Sequence, residues 1–301
     1  MSWSDPNVRT VTAVSIDEQD QVSDSQTGIS PDGSGPGSAV PGGDENSNEH
    51  ELEEAFDRLV IEGNNRLNRS FAALSATGFL GGIDVGVGVL AYLVVRTETG
   101  NALLGSLAFT LGFVGLLMAR SELFTENFLV PVTAVAARRG SVGQLLRLWA
   151  VSLPLNLAGG FVMAGMIVVA LPEVRPTAIE VGTHHAHLGV SWQSFFLAVL
   201  AGAVITLMSR MQQSTDSIGV KIVPAVLMSF VLVGAGLFHS VLDSILMFAG
   251  LLSGGAPYGW FDWLGALVWA VFGNILGGLV FVTGIRLVRV SHRVIAAQQE
   301  R

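Results

Sequence analysis

"VLVGAGLFHSVLDSILMF" runs from residue 231 to residue 248. It is apolar enough for a lipid bilayer, yet it carries His239 and Asp243. Ionisable side chains are costly at that depth and mark functional positions where they occur. Gly234 and Gly236 stand just ahead of the histidine, so "GAGLFHS" is a candidate break in the helix. Broken backbone at membrane depth survives only when it is buried in protein or faces a water-filled cavity.

The surrounding chain fits a membrane protein. Of its 301 residues, 50% are hydrophobic and only 13% are charged, against roughly 25% charged in a soluble domain. The apolar residues gather in six segments, about 71–95, 102–137, 144–171, 194–208, 222–252 and 264–290, close to the length a bilayer requires. Basic residues alternate between the loops. Arg58, Arg66 and Arg69 precede the first segment, Arg138 and Arg139 follow the second, Arg210 and Lys221 follow the fourth, and Arg286, Arg289 and Arg293 close the sixth. The intervening loops hold Arg96, Arg175 or no base. The positive-inside rule then predicts a multi-pass protein of the cell membrane with both termini cytoplasmic.

Four regions follow. Residues 1–50 are acidic and rich in Ser, Gly and Pro, with Arg9 as the only base, which predicts a disordered tail. Residues 51–69 place Leu52, Phe56, Leu59 and Val60 on one helical face, which predicts an amphipathic helix at the cytoplasmic surface or packed on its own domain. Residues 70–293 form the six-span domain, and 294–301 a short cytoplasmic tail. There is no cysteine and no basic patch with interleaved aromatics, so thiol chemistry and nucleic-acid binding are not expected. No metal or cofactor site and no enzymatic cluster is recognisable.

The second segment is interrupted as well. "ARSELFTENFLVP" sets Arg120, Glu122 and Glu126 within seven residues and ends on Pro131, which predicts a helix, a loop and a second half-helix. "ELFTEN" corresponds to "GLFHSV" at an offset of 114, and Asn156 and Asn274 each open N-x-x-G-G at an offset of 118. Two matches in the same order indicate a duplicated three-span unit. An odd number of spans forces the copies to be inverted, and interrupted helices at matching positions point to a path near the midplane. The predicted fold is therefore all-α, with six spans in an inverted 3+3 repeat whose second and fifth helices are broken.

At "SELFTENFL", "GSVGQLLRLW" leading into "LNLAGG", "GLFHSVLDSI" and "GNILGG", over about residues 52–293, the chain resembles the formate–nitrite transporter family. The resemblance implies an aquaporin-like fold, a homopentamer with one pore per protomer, and small monovalent anions of weak acids as substrates. It also implies His239 as the central histidine, Thr125 as its partner on the span-two loop, and Arg147 as the basic residue opening span three. Phe238 and Asp243 depart from the family pattern, which has a polar residue before the histidine and asparagine four positions after it.

The candidate pathway thus comprises His239, Thr125 and its neighbours Leu123 and Phe124, Phe238, Arg147, Asn156 and Asn274. Phe109 and Phe113 with Leu123 form one possible apolar constriction and Leu232 another. A titratable histidine suits an anion that crosses as its neutral acid, with Arg147 and Arg120 as positive charge at the mouths. The bland reading of His239 is a neutral histidine bridging two helices. Arg120 is read chiefly as the partner of Glu122 or Glu126. The pairs Gly159–Gly160 and Gly277–Gly278 allow close helix approach. "HHAH", with His184, His185 and His187, is read as an exposed outer loop, and Asp84 as satisfied by a neighbouring helix. The leading function is an anion channel with a histidine that couples permeation to protonation. The alternatives are an aquaporin-like pore for a neutral solute and a non-conducting membrane sensor.

Overall fold

The computed structural model describes residues 43–289 and 291–299. The expected disordered tail lies outside these residues apart from 43–50, which already belong to the first helix, α1 (Gly43–Leu67). Glu and Asp at these positions do not oppose a helix strongly, so polar composition alone misplaces its start.

Several helices begin and end where local chemistry provides for it. Ser70 caps α2 (Phe71–Thr99) by accepting the Ala73 N–H, and Gly100, at φ 65°, ends it. Asn101 accepts the N–H groups of Leu103 and Leu104 and starts α3 (Ala102–Ala119) at once. The second span then breaks. Arg120 adopts a left-handed φ of 55°, the chain runs extended to Leu123, a 3-10 turn covers Phe124–Phe128, and α4 (Val130–Ala136) completes the crossing with Pro131 in its first turn, where a missing N–H costs little. Ser141 and Gln144 form a capping box for α5 (Val142–Ala170). A helix between the third and fourth spans, α6 (Arg175–Leu188), precedes α7 (Trp192–Gln212). The fifth span is α8 (Ile218–Gly234), a break through Gly236 at φ 60°, and α9 (Ser240–Ser253). The sixth runs from α10 (Trp260–Leu276) through a π-helical stretch, Gly277–Gly284, into α11 (Ile285–Arg289). The chain closes on α12 (Ser291–Gln299).

The second and fifth spans are broken as expected, and the fold is a six-span membrane bundle of two inverted units. The units are α2, α3–α4 and α5, and α7, α8–α9 and α10–α11. Close helix approaches recur within each of them. A Cβ on Gly159 would strike the Phe79 carbonyl of α2, and one on Gly277 would strike the Val199 carbonyl of α7. Only glycine tolerates such contact, which brings backbones together where lipid supplies no hydrophobic driving force. Large apolar side chains such as Leu111, Val169, Phe196, Val268 and Phe272 remain exposed on the outside, as a lipid- or subunit-facing belt requires.

Packing defines two of the surface elements, and for α1 it is the second of the two expected arrangements. The apolar stripe of α1 faces protein: Phe56 is 1% exposed and packs with Ala137 and Val294, while Leu59 packs on Leu129 and Val130. An amphipathic stripe looks the same in sequence whether its partner is a lipid surface or a half-helix. Of the expected short tail at 294–301, residues 294–299 lie in α12, and Gln298 Nε2 donates to the Ala136 carbonyl at 2.8 Å, tying α12 to the end of α4.

Candidate functional site

The two breaks meet in the interior. Asn156 on α5 accepts the Phe124 N–H at 2.8 Å and donates to the carbonyls of Gly78 (2.7 Å) and Glu122 (2.8 Å). Asn274 on α10 accepts the Ser240 N–H and donates to Ala198 and Phe238, all at 2.9 Å. Each asparagine therefore satisfies the backbone groups that an interrupted helix would otherwise leave bare. The rest of the span-two loop is equally accounted for. The Asn127 carbonyl accepts from Trp149 Nε1, and the Phe128 carbonyl from Thr283.

These bonds also fix the register of the repeat. Phe124 corresponds to Ser240 and Glu122 to Phe238, an offset of 116 that corrects the 114 suggested by the letters "LF". The structural counterpart of His239 is Leu123, not Thr125. Both are the extended N-cap residues just ahead of their half-helix, at φ/ψ of −112°/125° and −108°/132°.

His239 and Thr125 nevertheless touch. Both are wholly buried, and Thr125 Oγ1 lies 2.8 Å from His239 Nε2. His239 Nδ1 accepts the Leu242 N–H at 3.1 Å as the cap of α9. A nitrogen that accepts cannot also carry a proton, so the neutral ring holds its hydrogen on Nε2 and donates it to Thr125. The His239 backbone N–H in turn donates to Asp243 Oδ2 at 2.8 Å, placing a carboxyl group against the positive end of α9.

A cavity approaches this centre from each face. The one on the α6 face, about 480 Å³, is lined by Tyr92, Arg96, His184, His185, Leu232 and Asp243 among others. The one on the α1 face, about 560 Å³, is lined by Arg58, Arg66, Arg69, Arg120, Glu122 and Glu126 among others. Phe109, Phe113 and Leu123 are buried, and Phe109 and Phe113 lie 5.7 Å apart, whereas Leu232 sits at the cavity wall on the α6 face. Phe124 turns aside and packs edge-on against Phe128 and Trp149. Phe238 is 1% exposed and stacks at 6.3 Å on His185.

The charged residues are arranged differently from expectation. Glu122, 1% exposed, is held by Arg66 at 3.4 Å and by Arg69, both from the α1 end of the chain. Arg66 also reaches Asn127 Oδ1 at 3.3 Å. Arg120 lines the cavity instead of pairing with Glu122. Arg147 does not point into the pathway: its guanidinium donates to the carbonyls of Leu67 (3.2 Å) and Arg69 (2.6 Å) and fastens the turn between α1 and α2. Asp84 lies near Ser121 beside the break in span two.

The "HHAH" run keeps His184 and His187 exposed, but it is helix rather than loop and buries His185. It is the last turn of α6, and His185 is 5% exposed with its Nδ1 3.4 Å from Asp243 Oδ2. Burial, with the neighbouring His184 and Arg96 adding to it, pushes the His185 imidazole down to about 3. Among the described residues, no group of three or more His, Cys, Asp or Glu side chains is arranged to hold a metal.

The family model for the formate/nitrite transporter matches residues 53–288. The inner membrane protein YfdC of Escherichia coli K12 is 29% identical over 226 residues, 72% of each chain. Two solved structures share the architecture. An FNT family ion channel superposes with a TM-score of 0.67 at 19% identity, over 76% of this chain and 96% of its own. A pentameric formate channel with formate bound gives 0.62 at 23% identity, over 73% and 97%.

Proposed function

Because the chain belongs to the formate/nitrite transporter family, we propose that it is a membrane channel for small monovalent anions of weak acids, formate or nitrite foremost. In this proposal it assembles as a homopentamer, with α6 on the outer face and both termini cytoplasmic. The observation that carries the reading is the buried contact between Thr125 and His239, where two interrupted spans meet between two cavities. Nε2–H is the one proton donor that the neutral ring offers, and a permeating anion accepts it in place of Thr125. Adding a second proton at Nδ1 removes the acceptor of the Leu242 N–H. Charging the ring and loosening the start of α9 are then one event, and this is how His239 couples permeation to protonation.

The test is uptake by proteoliposomes, compared with protein-free vesicles because neutral acids cross lipid unaided. Formate or nitrite flux above that background, reduced in His239→Phe, supports the channel. Water or glycerol flux with neither anion points to a neutral-solute pore, and no flux of any kind to a non-conducting protein.

A further inference from the structure

The cavity on the α6 face has an acid and a base at its floor that the path through His239 and Thr125 does not use. Asp243 is 3% exposed and His185 5%. Asp243 Oδ1 and His185 Nδ1 are both buried without a hydrogen-bond partner, yet His185 Nδ1 stands 3.4 Å from Asp243 Oδ2. Both residues line the cavity. Asp243 also lines the small pocket on its far side with His239 and Phe238. It therefore touches both the vestibule and the pocket beside the central histidine.

A bare carboxylate there would repel the anion that the cavity admits, and burying it unpaired is costly. A bare imidazolium is disfavoured as well, since burial pushes His185 down. One proton held between the two groups resolves both problems.

Resting on the channel reading above, we propose that Asp243 and His185 form a proton-sharing pair that hands its proton to a weak-acid anion in the vestibule. The step balances. The O–H bond of the Asp243 carboxyl breaks and an O–H bond forms on the anion. The neutral acid moves on past His239, and the carboxylate left behind recovers a proton from vestibule water. Run in reverse, the carboxylate takes the proton from an acid leaving the protein. One proton accompanies each anion in either direction.

The groups facing the pair suit this task. From α2 come Arg96 and Tyr92, and Arg96 is tied to Glu180 of α6 at 2.8 Å. From α6 come His184 and His187. From the break before α9 comes His239, through its backbone N–H. Tyr258, after α9, spends its hydroxyl on the Met247 carbonyl at 2.8 Å. Arg96 and the two further histidines draw an anion in, and Asp243 is the carboxylate at the cavity floor.

The experiment is formate uptake by wild-type proteoliposomes that enclose a pH dye, with external pH varied from 5 to 8. Asp243→Asn keeps an oxygen for the His239 N–H, and His185→Gln removes the base. With the pair in the proposed role, uptake near neutral pH falls by about tenfold or more in Asp243→Asn, on the scale of a lost general acid. Its dependence on external pH flattens, proton entry no longer keeps step with formate, and His185→Gln shifts the profile in the same sense. A wild type that passes neither formate nor nitrite sinks the channel reading and the pair with it. A conducting wild type whose two variants, shown intact by gel filtration, keep its pH profile and proton co-entry overturns the pair alone. Loss of folding in Asp243→Asn leaves His185→Gln to decide by the same profile.

Discussion

Asn156 and Asn274 make the same three hydrogen bonds 118 positions apart, two to the break of the unit's interrupted span and one to the unit's first helix. Each is wholly buried, so truncation to alanine strands one carbonyl and one N–H of the break away from water, while the Gly78 and Ala198 carbonyls keep their helical partners. At about 1–3 kcal/mol for each orphaned group, either variant is expected to lose several kcal/mol and to melt well below the wild type in detergent. Asn→Asp keeps the acceptor but loses both donors, and rescues neither. Unchanged melting of both alanine variants would show that water or local repacking satisfies the breaks.

The breaks themselves were legible in the sequence, because glycine, proline and charge inside long apolar segments do not fit an unbroken lipid-facing helix. The N-x-x-G-G pairs located the repeat for a related reason, since both residue types are demanded by contacts within the unit. The register of the broken loops was not legible. "ELFTEN" and "GLFHSV" share letters at 114, but position along a half-helix is decided by which N–H meets the asparagine, and that gives 116. The partners of Glu122 were hidden too: Arg66 and Arg69 lie 56 and 53 residues away, and nothing local distinguishes them from Arg120. His185 was misjudged because a polar run between spans reads as loop. The signal that points to it is Asp243, a lone acid in an apolar helix that needs a partner.

Glu122 ties the α1 end to the span-two loop through Arg66 and Arg69. Removing one member of a buried ion pair costs about 3–5 kcal/mol, although the partial exposure of both arginines places the expected loss below that range. Glu122→Gln is expected to release α1 first, with faster amide exchange over residues 54–67 while the α5 core stays protected. Exchange that rises uniformly, or not at all, would mean that α1 is held by Phe56 and Leu59 alone.

His239 caps α9 through Nδ1, a role that asparagine fills well and phenylalanine cannot. Loss of a cap costs about 1 kcal/mol. His239→Asn should therefore melt close to the wild type and His239→Phe should melt lower, whatever either does to flux. Thr125→Val removes the acceptor at Nε2 and leaves the cap untouched, so its stability loss should be independent of pH. Equal melting of His239→Asn and His239→Phe would separate the histidine from the helix start.

The shared proton of Asp243 and His185 has a signature in stability that needs no transport assay. In the unfolded chain, between about pH 4 and 6.5, the histidine is protonated and the aspartate is not, so the two residues bind one proton together. The folded pair also holds one, and stability changes with pH only where the two states bind different numbers of protons. The pair's contribution should thus be flat in that window. Asp243→Asn removes the carboxyl and leaves an imidazole whose burial disfavours the charged form. The unfolded chain then takes up a proton below about pH 6.5 that the folded chain refuses, so stability drops by about 1.4 kcal/mol for each pH unit of acidification. Thermal melts at pH 7.5, 6.0 and 5.0 for wild type, Asp243→Asn and Asp243→Asn/His185→Gln separate the cases. A decline with acid that is steeper in the single variant than in the wild type, and returns to the wild-type slope in the double variant, is the expected pattern. A wild type that declines as steeply as Asp243→Asn would mean that the folded pair carries no proton.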